Sequence, residues 1–193
     1  MCAGSVNHMT RHKVFISYHH ANDETYKETF VKAFKDYFID KSVHVGEYNE
    51  DLSTEYIKRL IREEKITDSS VVVVLIGSET YKRKHVDWEI SAGLSCKAGG
   101  CSGLIGILLP SYYSSYENSY LNGNGYNPKT IPPRLNDNVK SGYSFIYKWD
   151  SMANTNLNGN YAVINWIDEA YNRIYSEAGK IKNGRVQFTY NRA

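Results

Sequence analysis

The 193 residues carry 23 basic and 21 acidic side chains, a formal net charge of +2, too balanced to imply nucleic-acid binding through charge. That length suits one domain, or one domain with an extension, and no apolar run approaches the roughly 20 residues needed to span a bilayer. The three cysteines, Cys2, Cys96 and Cys101, are few and odd in number, fit a reducing cytoplasm, and at Cys96-x4-Cys101 lack the second pair of a zinc site, so thiols and no metal are expected.

Residues 1–12 have no apolar h-region and read as a mobile leader rather than a secretory signal. The domain is expected over 13–179 and a tail over 180–193. Lys13 to Tyr18 is a short strand of β-branched and aromatic residues that ends in a polar turn, His19 to Asp23. A helix follows from about Asn22, capped by Asn22 itself or by a Thr25–Glu28 capping box. Tyr26, Phe30, Phe34, Tyr37 and Phe38 share one face and read as core. Ser42 to Val45 is a weak second strand and Gly46 to Asp51 a loop. Ser53 caps the next helix, which turns Ile57, Leu60 and Ile61 inward.

Val71 to Ile76 opens with four consecutive valines and closes at Gly77-Ser78. Such a run reads as a strand buried on both faces, typical of mainly parallel sheets covered by helices. Lys82-Arg83-Lys84-His85 is either a solvated turn or a phosphate-facing loop. A helix follows from about Val86, with Val86, Ile90, Gly93, Leu94 and Lys97 on one face. Glu89 stands at the edge of that stripe, where Gly93 leaves room. It is either a solvated helix acid or, following the carboxyl end of a strand in an open α/β sheet, an acid facing a ligand crevice. Leu104 to Leu109 is a fourth buried strand.

Ser111 to Ile131, rich in Ser, Tyr, Asn and Gly, is long for a structureless loop. Tyr112, Tyr113, Tyr116, Tyr120 and Tyr126 either stack on a base or partner there, or decorate a floppy insertion. Tyr143, Phe145, Tyr147 and Trp149 alternate along a fifth, edge strand. Tyr161 to Ala178 is an amphipathic helix with Gly179 at its end, and Asn-Gly in the tail signals a small hairpin. This order of elements predicts an α/β fold: a flavodoxin-like, doubly wound, mainly parallel five-stranded sheet in the order 2-1-3-4-5, with helices on both faces.

No Gly-x-Gly-x-x-Gly follows a strand and opens a helix, and the P-loop, His-Glu-x-x-His and Gly-x-Ser-x-Gly patterns are missing. What remains is one acid beside a strand end and a Ser-Tyr-His ending on another strand. That set is enough to cleave the nicotinamide–ribose bond of NAD+. The leaving pyridinium departs as neutral nicotinamide and needs no general acid, so a single carboxylate can steady the oxocarbenium-like ribose. Ordinary glycosidases usually need two.

Three stretches carry a resemblance: KVFISYH from Lys13, VVVVLIGSETYKRKHVDWEI from Val71, and PPRLNDNVKSGYSFIYKW from Pro132. They resemble the first strand, the third strand with its following helix, and a late segment of TIR-like domains, most closely those of the bacterial Thoeris anti-phage system and related signal-transduction families. The resemblance implies an enzyme with Glu89 as its catalytic glutamate, acting on NAD+ as substrate with no separate cofactor. It also implies that Ser17, His19 and the loop around Asn49 line the cleft. The expected product is an ADP-ribose signal, cyclic or linear, addressed to a separate effector.

TIR enzymes often place a tryptophan four residues before the glutamate. Here His85 holds that position and Trp88 directly precedes Glu89, so stacking by Trp88 is in question, and His85 is either an exposed turn histidine or a contact for phosphate or ribose. Two other classes fit the same fold. One is a non-catalytic TIR-like module that self-associates or pairs with other TIR domains. The other is a nucleoside deoxyribosyltransferase-like enzyme, which would exchange bases on deoxynucleosides and leave NAD+ intact.

Overall fold

The computed structural model describes residues 11–42, 63–96, 100–116, 125–149 and 159–192. Five strands form one sheet: β1 (His12–Ser17), β2 (Phe38–Asp40), β3 (Val71–Ile76), β4 (Gly103–Leu108) and β5 (Phe145–Lys148). Their order is β2-β1-β3-β4-β5 and every neighbouring pair is parallel, as the expected flavodoxin-like winding requires. The helices are α1 (His20–Phe34), α2 (residues 63–67), α3 (Lys84–Gly93), α4 (Pro110–Tyr116), α5 (Pro133–Ser141) and α6 (Gly159–Ser176).

The valine run is explained by the two cores it feeds. Successive side chains of a strand point to opposite faces. Val72, Val74 and Ile76 pack with Val86 and Ile90 of α3 and Leu135 of α5. Val71, Val73 and Leu75 pack with Phe30 and Phe34 of α1 and Val163 and Ile167 of α6. A central strand covered on both sides has no polar face, so its pattern is continuous rather than alternating. Gly93 serves this packing rather than opening space beside Glu89: a Cβ there would sit 2.7 Å from Val72 Cγ2.

Several expectations are corrected. The second strand lies at Phe38–Asp40, not at Ser42 to Val45, of which 43–45 fall outside the described residues. Phe38 stacks near Phe30 in the same core, at 5.7 Å between ring centroids, so it extends the apolar period of α1 although its backbone already pairs with His12. Ser42 follows the strand, and its Oγ accepts the Ile16 N–H at 2.9 Å. Helix α1 begins at His20 with His19 as its N-cap, in place of Asn22 or a capping box.

Cys96 and Cys101 are disulfide-bonded, not thiols. The Ser102 N–H bonds the Gly93 carbonyl at 2.8 Å, which folds the end of α3 back to the start of β4 and leaves the two Cα atoms 4.3 Å apart. Spacing alone does not reveal such a reversal. The Ser111 to Ile131 stretch is not one long loop either. Pro110, suited to a first helical turn, opens α4, and Tyr112 and Tyr126 are buried in the core rather than offered for stacking. Tyr112 Oη bonds Thr130 Oγ1 at 2.7 Å and accepts the Asn127 N–H at 3.0 Å. Tyr120 lies outside the described residues, as do Ser53, Ile57, Leu60 and Ile61. No terminal hairpin forms among the described residues; 181–192 carry no strand and run along α3 instead.

Candidate active site at the carboxyl ends of β1 and β3

Strands β1 and β3 are neighbours, yet the helices that follow them go to opposite faces: α1 joins one core and α3 the other. At such a switch point the chain parts and leaves a crevice beyond the strand ends. Ser17 is the last residue of β1, with Tyr18 and His19 next in line. His85 and Glu89, one helical turn apart on α3, come from the other side.

Ser17 and Glu89 are joined directly. Ser17 Oγ donates to Glu89 Oε2 at 2.6 Å, and the two residues are 1% and 3% exposed. Glu89 is therefore deeper than an acid at the border of an apolar face. His85 Nε2 lies 3.1 Å from the Tyr18 carbonyl oxygen. A carbonyl only accepts, so this contact places the proton on Nε2 and ties α3 to the β1–α1 turn. The His85 ring also stands 5.3 Å from that of His20.

His19 is locked by its own helix. Its Nδ1 accepts the Asn22 N–H at 3.1 Å, so the neutral ring carries its proton on Nε2. That Nε2 is buried and has no partner among the described residues. Burial, then the Arg83 charge, push the His19 pKa below the ordinary histidine value, which keeps the ring neutral at pH 7. Arg83 Nη2 donates to Glu79 Oε2 at 2.9 Å, while its Nε is buried without a partner among the described residues. An unmade hydrogen bond on a buried donor costs about 1–3 kcal/mol. His19 and Arg83 are close enough for the guanidinium charge to act on the imidazole, and each leaves one buried N–H without an acceptor among the described residues.

The basic turn is organised rather than merely solvated. Lys82 Nζ bonds Glu79 Oε1 at 3.2 Å, and that bond chiefly holds the Glu79 carboxyl below its usual range. Lys84 Nζ lies 5.1 Å from the Trp88 ring centre.

A second buried acid lies in the polar turn after β1. Asp23 is buried in the first turn of α1 and accepts the Ser111 hydroxyl at 3.2 Å, with Thr80 Oγ1 3.4 Å away. Burial pushes its pKa above the usual carboxylate value. Any side chain at Gly77 would collide with this carboxylate, which explains the glycine that closes β3. Asp23 thus knits the ends of β1, β3 and β4 behind the crevice. The periodicity of α1 holds no signal for it, because a buried polar first-turn residue looks like any helix-starting acid.

Trp88 is occupied elsewhere: its Nε1 donates to the Phe188 carbonyl of the tail at 2.8 Å. Asn49 lies outside the described residues. Sequence reasoning also missed Asp87 and Arg134, a buried pair beneath α3. Arg134 does fall within the PPRLNDN stretch that carries the late TIR-like resemblance. Among the described residues no group of three or more His, Cys, Asp or Glu is placed to hold a metal ion. The ends of β1 and β3 thus bring together one buried carboxylate bonded by a serine hydroxyl, and the turns that follow them carry two buried N–H donors without acceptors among the described residues.

The family model of the Thoeris protein ThsB, TIR-like domain, matches residues 15–114, just over half of the chain. The match takes in Ser17, His19, Asn49, His85, Trp88 and Glu89, and stops before Arg134 and the tail. No curated protein matches the chain.

Proposed function

The chain belongs to the TIR-like domain family of the Thoeris anti-phage protein ThsB, a signalling family, and from that premise we propose that it cleaves NAD+ at the nicotinamide–ribose bond. The observation that supports this reading is the Ser17–Glu89 hydrogen bond at the switch point of the sheet. In the proposed step the C1′–N bond breaks and its electron pair stays on the pyridinium nitrogen, so nicotinamide leaves neutral. The ribose is left cationic. The Glu89 carboxylate, held by Ser17 in a dry setting, faces that charge where its attraction is least screened. Water captures the cation to give ADP-ribose and a proton. Capture by a nucleophilic nitrogen or oxygen of the same molecule gives a cyclic isomer, the diffusible signal for a separate effector.

His19 Nε2–H and Arg83 Nε–H then serve the diphosphate oxygens, which are the strongest acceptors of the substrate. The resemblance adds Asn49 to the cleft. His85 steadies the turn through Tyr18, and Trp88 has a structural role rather than a stacking one.

Glu89 is 3% exposed, so a dinucleotide reaches it only after the crevice opens. We therefore expect turnover in a triggered or assembled state. The same burial favours one competing reading, a TIR-like interaction module in which Ser17 and Glu89 are only a satisfied structural pair. The two part on a simple measurement: NAD+ incubated with the full chain and lysate from phage-infected cells, separated by chromatography. Nicotinamide release that disappears in Glu89→Gln supports the enzyme. Intact NAD+ under every trigger, with a ligand-induced rise in melting temperature, supports the module. No helix among the described residues is long and apolar enough to cross a membrane, and the proposed substrate suits a cytoplasmic setting.

A further inference from the structure

Helix α3 lacks a cap of its own, since no side-chain bond from Arg83 at the N-cap position satisfies its first turn. The missing acceptor comes from the far end of the chain: Asn191 Oδ1 accepts the Lys84 N–H at 3.0 Å. Beside it the Arg192 N–H donates to the Lys82 carbonyl at 2.8 Å. One turn further along α3, the Phe188 N–H donates to Asp87 Oδ2 at 3.0 Å, and Trp88 Nε1 returns a bond to the Phe188 carbonyl at 2.8 Å. At the other end of the helix, Asn183 Nδ2 donates to the Ser91 carbonyl at 3.0 Å. Tail numbers rise as helix numbers fall, so residues 183–192 lie antiparallel along the length of α3.

The strap is fastened from below by Arg134 of α5. Its Nε and Nη2 hold Asp87 at 3.0 and 3.2 Å, Nη1 bonds the Asn183 carbonyl at 3.0 Å, and Nη2 bonds the Arg185 carbonyl at 2.8 Å. Beyond Arg185 the tail contributes little core: Val186 and Tyr190 are largely exposed and only Phe188 is buried. What it gives there is a set of directional bonds to one helix, the helix that carries Glu89.

We propose that the C-terminal tail is a positioning strap for Glu89, with Asn191 as a cap donated from outside the helix. The amino end of α3 is tied to the β1–α1 turn through His85 and Tyr18, and further along Glu89 meets Ser17. The strap adds directional bonds along the length of the helix that help to fix its rotation and axial position. Loosening the strap lets α3 shift relative to β1 and spoils the geometry that catalysis needs, without removing any group that touches substrate. The catalytic part of this inference rests on the reading of Glu89 given above.

The test uses Asn191→Ala, Asn191→Asp and a chain ending at Gln187, which keeps every partner of Arg134. Amide hydrogen exchange over residues 84–93 reads the strap without any need for activity. Loss of the cap should speed exchange in the first turn of α3 roughly fivefold, the ratio for a cap of typical strength, and Asp at 191 should restore it. Under triggering conditions the same variants should lose kcat while KM for NAD+ stays fixed, and Asn191→Asp should recover most of the rate. Unchanged exchange in the chain ending at Gln187 overturns the strap. Faster exchange with full kcat overturns its link to Glu89. If the full-length chain releases no nicotinamide under any trigger, the functional reading fails by itself, and exchange at α3 still decides the strap.

Discussion

Arg134 and Asp87 face each other in a salt bridge that water does not reach, with side chains 0% and 1% exposed. Asp87 holds three donors: two from Arg134 and the Phe188 backbone N–H. Removing one member of such a pair leaves the other charge buried and uncompensated. Arg134→Met should therefore cost about 3–5 kcal/mol, and Asp87→Leu a similar amount. The double variant should cost clearly less than the sum, because neither charge is then stranded. Chemical denaturation of the four proteins of this cycle gives the answer. Additive losses would show that the pair does not act as a unit.

Ser17 orients Glu89, and the two should separate in kinetics. Glu89→Gln keeps the size of the side chain and the bond to Ser17 but has no negative charge for the ribosyl cation, so nicotinamide release should vanish. Ser17→Ala leaves the carboxylate in place with one hydrogen bond fewer. A hydrogen bond to a charged group is worth about 1.5–3 kcal/mol, so kcat should fall roughly tenfold to a hundredfold. Turnover by the Glu89→Gln protein at the parent rate would remove Glu89 from the chemistry.

The sheet was legible because its strands obey local rules. Val71 to Ile76 and Leu104 to Leu109 are apolar on both faces, and only central strands of a parallel sheet have that property. Ser17 and Glu89 were legible as candidates because strand ends are visible in the sequence, although their mutual bond across 72 positions is not. The rest depends on partners far away in the chain. Phe38 looked helical because helix and strand bury into one core. Cys96 and Cys101 looked like thiols because their pairing follows from how α3 hands over to β4. Asp23, Asp87 and Arg134 are charged residues in the interior, and nothing in their neighbours announces burial. The tail looked like an appendage because its bonds come partly from its backbone, which any sequence possesses, and partly from Asn183 and Asn191, whose partners lie about a hundred residues earlier in the chain.

His19 makes stability depend on pH, and the sign follows from its surroundings. Burial and the Arg83 charge lower its pKa in the folded protein, and His85 adds to this; Asp23 and the backbone oppose it. The folded state therefore binds a proton less readily than the unfolded chain, whose histidine titrates near 6.5. Stability from this group is present in full above about pH 6.5 and is lost as pH falls below that value. His19→Asn keeps an acceptor for the Asn22 N–H and cannot titrate. Melting temperatures measured between pH 7.5 and 5 should fall more steeply for the parent than for His19→Asn. Parallel curves would mean that His19 is not held neutral.

The Cys96–Cys101 bond closes a short loop between the helix that carries Glu89 and strand β4. A loop of this length restricts the unfolded chain modestly, by about 2 kcal/mol in the chain-entropy picture. Of the three cysteines in the sequence, two are therefore paired. Alkylation of the air-equilibrated protein after unfolding should add one label by intact mass, and three once a reductant precedes it. The reduced protein should melt at a lower temperature. Amide exchange should quicken around residues 91–96, where the clip meets the end of α3, and change little at the Lys84 end held by Asn191. Three labels without reductant would show that the two sulfurs stay apart, and the Ser102–Gly93 bond would then join the end of α3 to the start of β4 without a covalent clip.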